Sequence, residues 1–152
     1  MEIERKFLVA KIPDEIEKYL KKELVQGYIS IDPALRLRRS DNEYFFTFKN
    51  GKSLVREEFE CPLTQKQFEN LWKIVNGNEI TKDRYFVPLE NGLVAELDIY
   101  HGRLSSLATV EVEFESVDHA MAFIAPDWFG KDVTDDIRYT NANLSKNCLT
   151  LH

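Results

Sequence analysis

Apolar and polar residues alternate along eight stretches of the chain, and most stretches end at a turn signal such as Asn50-Gly51 or Asn91-Gly92. Successive side chains of a β-strand point to opposite faces, so this alternation predicts strands that are apolar on one face only. Eight such strands joined mostly by short turns favour an antiparallel sheet or barrel. The stretches cover residues 2–9, 24–31, 34–40, 43–49, 53–61, 79–88, 93–100 and 107–116.

Other segments carry apolar residues at the spacing of one helix face. Thr64 and Gln67 match a capping box at the start of the second predicted helix. Asp118 is the expected cap of the third helix, which Pro126 would end. The four predicted helices cover residues 13–22, the stretch from Thr64 to Val75, the stretch from Asp118 to Pro126, and residues 141–146.

The polar faces of the predicted strands are almost entirely charged, and cations and carboxylates are grouped on different strands. On a single strand, a charged face is most simply explained by contact with water. Several such strands have a second solution, because a closed barrel directs the charged faces into a central cavity and leaves the apolar faces for the helices. We therefore predict an α+β, mainly β fold: an eight-stranded antiparallel closed barrel with helices packed outside, in a single domain over residues 1–152.

The charged residues of this inferred cavity indicate which ligand it would hold. Clustered lysine and arginine side chains repel one another unless a polyanion neutralises them, and guanidinium groups fit phosphate oxygens. Carboxylates without histidine or cysteine favour Mg²⁺ or Mn²⁺ over zinc. A polyphosphate bridged by metal to the carboxylates would satisfy both sets and suits phosphoryl transfer. The cations are Lys6, Arg36, Arg38, Lys49, Arg56, Lys82 and Arg84, and the carboxylates are Glu2, Glu4, Glu58, Glu60, Glu96, Asp98, Glu111 and Glu113.

Composition narrows the classes of partner and location. Lys plus Arg is 20 and Asp plus Glu is 26, so the net charge of −6 gives no bulk attraction for nucleic acid. No apolar run could span a bilayer, and the acidic start Met1-Glu2-Ile3-Glu4 does not resemble a signal peptide, so we expect a cytoplasmic protein without a membrane partner. Cys61 and Cys148 lack metal or disulfide spacing and are expected to be reduced.

Short charged motifs follow one another in a defined order along nearly the whole chain. The first is the E-x-E-x-K sequence Glu2-Ile3-Glu4-Arg5-Lys6. The others include Gln26-Gly27-Tyr28, Arg36-Leu37-Arg38, Thr47-Phe48-Lys49, Arg56-Glu57-Glu58-Phe59-Glu60, Lys82-Asp83-Arg84-Tyr85, Glu96-Leu97-Asp98-Ile99-Tyr100, Glu111-Val112-Glu113-Phe114 and Arg138-Tyr139-Thr140-Asn141. In this order and spacing they resemble the CYTH superfamily, the triphosphate tunnel metalloenzymes, and most of all its short bacterial inorganic tripolyphosphatases.

The resemblance implies a β-barrel tunnel that binds a linear triphosphate and, with Mg²⁺ or Mn²⁺, hydrolyses inorganic tripolyphosphate to diphosphate and phosphate. It implies that Lys82 and Tyr28 activate water. Crowding by Arg84 would lower the pKa of Lys82, as a general base requires. The simpler alternatives are that Lys82 only binds phosphate and that Tyr28 is a packed aromatic residue. The implied phosphate-binding residues are Lys6, Arg36, Arg38, Lys49, Arg56, Lys82, Arg84 and Arg138; the implied metal ligands are Glu2, Glu4, Glu111 and Glu113, with Glu58, Glu60, Glu96 and Asp98 either binding metal or pairing with cations.

Other functions on the same fold stay open at this stage. A class IV-type adenylate cyclase, or a thiamine or nucleoside triphosphatase, would use the same charges but needs room for an organic group. A non-catalytic polyphosphate-binding module would not need the metal carboxylates, and a barrel with internal ion pairs but no ligand would bury charges at a high cost. The expected partner is a small polyanion, and the oligomeric state is open, with a homodimer as one option.

Overall fold

The computed structural model describes residues 1–50, 54–75 and 79–146, and its centre is one antiparallel sheet. Nine strands form this sheet because alternating residues give each of them one apolar and one polar face. They are β1 (Glu2–Val9), β2 (Leu20–Ser30), β3 (Ala34–Ser40), β4 (Glu43–Asn50), β5 (Val55–Leu63), β6 (Ile80–Pro88), β7 (Val94–Tyr100), β8 (Ala108–Glu113) and β9 (Phe129–Asp132).

Eight of these strands close into a barrel. Their order is β5-β4-β3-β2-β6-β7-β8-β1, and β1 pairs back with β5 through Glu2–Arg56 and Ile3–Val55. The later part of β1 pairs with β9 instead, around Phe7. The predicted eight-stranded antiparallel barrel is therefore confirmed. The sequence pattern did not predict β9, which is four residues long and too short to show alternation.

The apolar faces of the strands point outward, as predicted, and form a core with the segments packed outside. Phe7, Leu97 and Val110 are at most 3% exposed in this core. The segments around α2 (Val117–Ala122) cover it, and Ala120 is completely buried there. Burial of these apolar side chains stabilises the fold, and the charged interior cannot provide this contribution.

A second core covers one end of the barrel. It joins Ile80 at the start of β6 and Tyr100 at the end of β7 to residues near the end of the described chain. Tyr139 and Leu144 come from a 3-10 turn at Ile137–Tyr139 and from α3 (Asn141–Lys146). The fourth predicted helix is confirmed, and it lies against the barrel end.

The second predicted helix is also confirmed, as α1 (Gln65–Trp72). Thr64 and Gln67 form the predicted capping box, which satisfies backbone N–H groups at the helix start. The segment packs closely on β2 at Gly27, where a Cβ atom would lie 2.6 Å from Cγ1 of Val75. A larger residue at this position would push α1 away from the barrel.

Two helix predictions were wrong in part. Residues 13–22 form only a 3-10 turn at Ile16–Lys18, because β2 already begins at Leu20 and pairs with Phe86 of β6. Ladder hydrogen bonds to β6 outweigh the weak helical spacing of this segment. The cap of α2 is Ser116, whose hydroxyl accepts from the N–H of His119, so Asp118 lies in the first turn. Phe123 already has an extended conformation, so α2 ends before Pro126.

Across the described residues, no helix is long and apolar enough to cross a membrane. Cys61 is a free thiol, as expected, whereas Cys148 lies outside the described residues.

Candidate functional site

Strand register directs the charged faces into the barrel. Across β1 and β8, Glu4 lies opposite Glu113 and Lys6 opposite Glu111. Across β7 and β8, Glu96 lies opposite Glu111. Directly opposed residues on neighbouring strands project from the same face, so these side chains share the interior. The central prediction from alternation, a charged interior and an apolar exterior, is confirmed.

A cavity of about 280 Å³ occupies this interior, and we call it the central cavity. Its wall carries positive and negative side chains within one small space. Burying these charges costs free energy unless a ligand separates or bridges them. The lining residues are Glu2, Glu4, Arg36, Arg38, Lys49, Glu58, Glu60, Arg84, Glu96, Glu111, Glu113 and Asn141.

A smaller pocket of about 20 Å³ adjoins the central cavity and shares Glu4, Lys49, Glu111 and Asn141 with it. The pocket lies where β1 stops pairing with β5 and the chain around β9 takes over. Two more predicted cations and several hydroxyl groups line it. Its remaining lining residues are Lys6, Arg56, Val133, Thr134, Asp136, Tyr139 and Thr140.

Two pairs of carboxylates in this space share hydrogen bonds. Burial and the nearby charge of Glu111 raise the pKa of Glu4 well above its ordinary value. Burial alone would raise the pKa of Glu111, but Lys6, with Arg84, holds it well below its usual range. Burial also raises the pKa of Glu58, which bonds to Glu2. Burial and crowding among the carboxylates therefore favour the neutral forms of Glu4 and Glu58.

These carboxylates fit a hard divalent cation chemically. All their donor atoms are oxygens, and no histidine or cysteine lines the described cavity walls. Among residues 1–50, 54–75 and 79–146, no three acidic, histidine or cysteine side chains already converge as a complete set of metal ligands. The central cavity nevertheless has seven carboxylates and four cations in its wall, so an added cation would offset the surplus of acidic side chains.

The cationic wall has the opposite imbalance. Burial, with Arg36 and Arg84 nearby, lowers the pKa of Arg38 to about 9. The Nε atoms of Arg36 and Arg56 are buried without a hydrogen-bond partner. Buried donors that lack an acceptor cost free energy, so these guanidinium groups are suited to an anion that supplies one.

Lys82 is the most buried of the predicted cations, with no exposed side-chain surface. Burial is the main reason that its pKa falls to about 7; the carboxylate of Asp98 raises this pKa, and Arg84 lowers it. The predicted direction is confirmed, but desolvation contributes more than crowding by cations. The ring centroid of Tyr100 lies 5.2 Å from Nζ of Lys82.

Asp98 was a further candidate metal ligand, and the structure surrounds it with cations instead. Its two oxygens accept hydrogen bonds of 2.8 Å each from Nε and Nη2 of Arg84. Nζ of Lys82 lies 2.7 Å from Oδ2 as an ion pair without the alignment of a hydrogen bond. Asp98 is 1% exposed and does not line the central cavity, unlike Glu58, Glu60 and Glu96.

Three other predicted residues lie apart from the cavity wall, because Lys82, Tyr28 and Arg138 line neither the central cavity nor the adjoining pocket. Tyr28 is 5% exposed on β2. Lys82 pairs across the sheet with Leu24, and Tyr28 lies four residues further along β2. Arg138 is 47% exposed and pairs with Asp136 at 2.6 Å, so the structure does not bring its guanidinium into the central cavity.

The sequence motifs contain Gln26, Thr47 and Asn141, but the sequence predicted no role for these uncharged groups of the interior. Gln26 and Thr47 are completely buried: Gln26 accepts from Nε of Arg38, and the hydroxyl of Thr47 contacts Glu60. Both residues share a face with predicted cations, so parity could have identified them. Asn141 lines both cavities from the start of α3, and no strand alternation could have placed it there.

Comparisons with known proteins agree with this geometry. The CYTH domain family model matches residues 1–137. An inorganic triphosphatase of Nitrosomonas europaea is 47% identical over 148 residues, which cover 95% of this chain and 96% of that protein. An inorganic triphosphatase of Acetivibrio thermocellus is 35% identical, covering 96% of this chain and 94% of that protein. A crystal structure of an inorganic triphosphatase superposes with a TM-score of 0.73 at 45% identity, covering 97% of this chain and 95% of that one.

Proposed function

This chain belongs to the CYTH family, and from that premise we propose that it hydrolyses inorganic tripolyphosphate to diphosphate and phosphate inside its charged barrel. The observation that carries the proposal is the central cavity of about 280 Å³, whose wall combines four cations with seven carboxylates. Cations suit the phosphate oxygens, and the carboxylates suit a divalent metal that accompanies them. The similarity to two inorganic triphosphatases over nearly their full length supports the same substrate.

The phosphate chain is held by the cations that line the two adjoining cavities. Guanidinium forks give two parallel hydrogen bonds to a phosphate group, and the buried Nε atoms of Arg36 and Arg56 gain acceptors. The proposed phosphate-binding residues are Lys6, Arg36, Arg38, Lys49, Arg56 and Arg84. Lys82 and Arg138 are kept in this set on the resemblance alone.

Mg²⁺ or Mn²⁺ would be held by Glu2, Glu4, Glu111 and Glu113, with Glu58, Glu60 and Glu96 within the same cavity. A bound divalent cation offsets phosphate charge and orients the chain. The crowding of these carboxylates supports this assignment, because burial and neighbouring carboxylates raise the pKa of Glu4 and Glu58, and a bound cation would favour their charged forms.

The reaction is an attack of water on a terminal phosphorus atom. The oxygen of water forms a bond to phosphorus, the bridging P–O bond breaks, and diphosphate leaves. Lys82 accepts the proton of water as a free amine, and its pKa of about 7 makes that form available near neutral pH. Tyr28 is kept in this step, as the partner of Lys82 in activating water, on the resemblance alone. Arg36, Arg38 and Arg84 stabilise the negative charge that develops on the leaving group.

Phosphate release from tripolyphosphate, ATP and thiamine triphosphate, each with Mg²⁺, Mn²⁺ or a chelator, tests the proposal. We expect metal-dependent release from tripolyphosphate. Arg38→Ala prepared in parallel controls for contaminating phosphatases. Phosphate release from ATP or thiamine triphosphate would favour a nucleoside or thiamine triphosphatase instead. Formation of cyclic AMP from ATP would favour an adenylate cyclase. Tripolyphosphate binding without turnover, equal with and without metal, would indicate a binding module. Cell fractionation tests the cytoplasmic location that the sequence predicts.

A further inference from the structure

Asn141 is an uncharged residue in the wall of an otherwise charged cavity. It is the first residue of α3, and it lines both the central cavity and the adjoining pocket. An amide side chain offers either two N–H donors or one carbonyl acceptor to its surroundings. Which of these faces the cavity decides whether Asn141 attracts or repels a polyanion.

Tyr100 determines the orientation of this amide. Its hydroxyl lies 3.2 Å from Oγ1 of Thr109 and donates towards Oδ1 of Asn141 at 3.5 Å. Tyr100 and Thr109 are at most 1% exposed, so the hydroxyl has a fixed environment. Since Oδ1 of Asn141 is turned towards Tyr100, the two N–H groups on Nδ2 are left for the cavity.

We propose that Asn141 is a substrate-contacting residue that donates from Nδ2 to a phosphate oxygen, and that Tyr100 is a positioning residue acting through it. The proposal rests on the proposed function and extends its binding site to α3. A neutral donor binds an anionic oxygen without adding to the repulsion among the cations around it. The contact also couples the fold of α3 to occupancy of the barrel, because Asn141 reaches substrate only when the barrel end is packed.

Four single variants and one double variant test this proposal. Asn141→Ala removes the donor, and Asn141→Asp keeps the size of the side chain but replaces the donor with a carboxylate. Tyr100→Phe keeps the ring beside Lys82 and removes only the hydroxyl. Asn143→Ala is the matched control, because Asn143 has the same side chain on the same helix but donates to the carbonyl of Ile137, away from the cavity.

Tripolyphosphate affinity is measured by calorimetry in the presence of chelator, and KM and kcat are measured with Mg²⁺. We expect Asn141→Ala to weaken affinity about tenfold, Asn141→Asp to weaken it further, and Tyr100→Phe to weaken it about threefold. Asn143→Ala should stay within about twofold of the wild type. The Tyr100→Phe/Asn141→Ala double variant should be no weaker than Asn141→Ala alone, since Tyr100 acts through Asn141.

Each other result overturns part of the proposal. Wild-type affinity in Asn141→Ala or Asn141→Asp would exclude a contact with substrate. An equal loss in Asn143→Ala would assign the effect to α3 as a whole. Additive losses in the double variant would remove Tyr100 from its positioning role. If the wild-type protein binds tripolyphosphate without hydrolysing it, the proposed function fails while the affinity comparison still decides the role of Asn141.

Discussion

Nζ of Lys82 lies 2.7 Å from Oδ2 of Asp98, and both side chains are almost completely excluded from water. The same carboxylate accepts two hydrogen bonds from Arg84, whose Nη1 also pairs with Glu96 at 2.8 Å. The pKa of Asp98 is about 2. Burial alone would raise this pKa, but Arg84 and Lys82 lower it by more than burial raises it. Two cations and two carboxylates therefore form one network beside the cavity, and Asp98 is the carboxylate that both cations contact.

The pKa of Lys82 predicts how activity depends on pH. A general base must be unprotonated, and the pKa of Lys82 is about 7 in the folded protein. We therefore expect kcat/KM for tripolyphosphate to rise with pH through about 7 and then to level off, since kcat/KM reports the free enzyme. Lys82→Arg, whose guanidinium stays protonated, should lower kcat by on the order of 10²–10⁴.

Lys131→Arg is the matched control for this experiment, because Lys131 is an exposed residue of β9. It should retain the wild-type profile. An acidic limb that persists unchanged in Lys82→Arg would assign the limb to another group and leave Lys82 as a phosphate ligand only.

Replacement of Asp98 by asparagine should affect both stability and the pH profile. Asp98→Asn leaves Lys82 and Arg84 buried without their shared counterion, and we expect a loss of about 3–5 kcal/mol in the free energy of unfolding. The charge of Asp98 raises the pKa of Lys82, so its removal should move the acidic limb to lower pH. Urea unfolding and kcat/KM against pH measure the two effects.

The wild-type protein should also lose stability in acid through the same residue. The folded pKa of Asp98, about 2, is below the ordinary value of 3.8, so its contribution is full above about pH 4 and disappears as the pH falls through 2. Asp127→Asn, at an exposed position, is the control. If Asp98→Asn matched this control in stability, the ion pair would have no structural role.

The sequence predicts the charged interior well because strand parity is strictly periodic, and one correct register places every charged residue of a strand. Lys6, Glu111 and Glu96 reach the interior for this reason. The alternation of side chains predicts which face a residue is on, but not how deeply it is buried or which charged residue it pairs with. It could not distinguish Glu96, which lines the cavity, from Asp98, which Arg84 and Lys82 enclose.

Segments outside the barrel strands were harder to predict for a different reason. The stretch 13–22 has a weak helical spacing, and only its tertiary pairing with β6 makes its end a strand. β9 is recruited by the free edge of β1 rather than by its own pattern. Asn141 enters the site because the end of the described chain folds over the barrel, a placement that depends on long-range packing alone.

The proposed metal ligands predict a specific loss in Glu111→Gln. Glu111 is 8% exposed in the central cavity and shares a hydrogen bond with Glu4. A glutamine keeps the size of the side chain but removes the negative charge, and we expect Mg²⁺ affinity to fall by at least about tenfold. Titration of activity with Mg²⁺, and direct binding of Mn²⁺ followed by electron paramagnetic resonance, both measure it.

Glu115→Gln is the matched control for the metal prediction, since Glu115 is an exposed residue two positions after Glu113. It should bind metal as the wild type does. Equal metal affinity in Glu111→Gln and Glu115→Gln would contradict the assignment of Glu111, even if both variants lost activity.

Arg38 and Arg138 should differ in their contribution to substrate binding. Arg38 lines the central cavity and is held by Gln26, whereas Arg138 is 47% exposed and already engaged by Asp136. We expect Arg38→Ala to raise KM for tripolyphosphate by about tenfold or more, because a charged hydrogen bond to phosphate is lost. Arg138→Ala should raise KM by about threefold at most, since its guanidinium would first have to leave Asp136.

Steady-state kinetics at two ionic strengths separate direct contact from long-range attraction, because only the latter is strongly screened by salt. An effect of Arg138→Ala as large as that of Arg38→Ala, and insensitive to salt, would mean that Arg138 moves into the cavity when substrate binds.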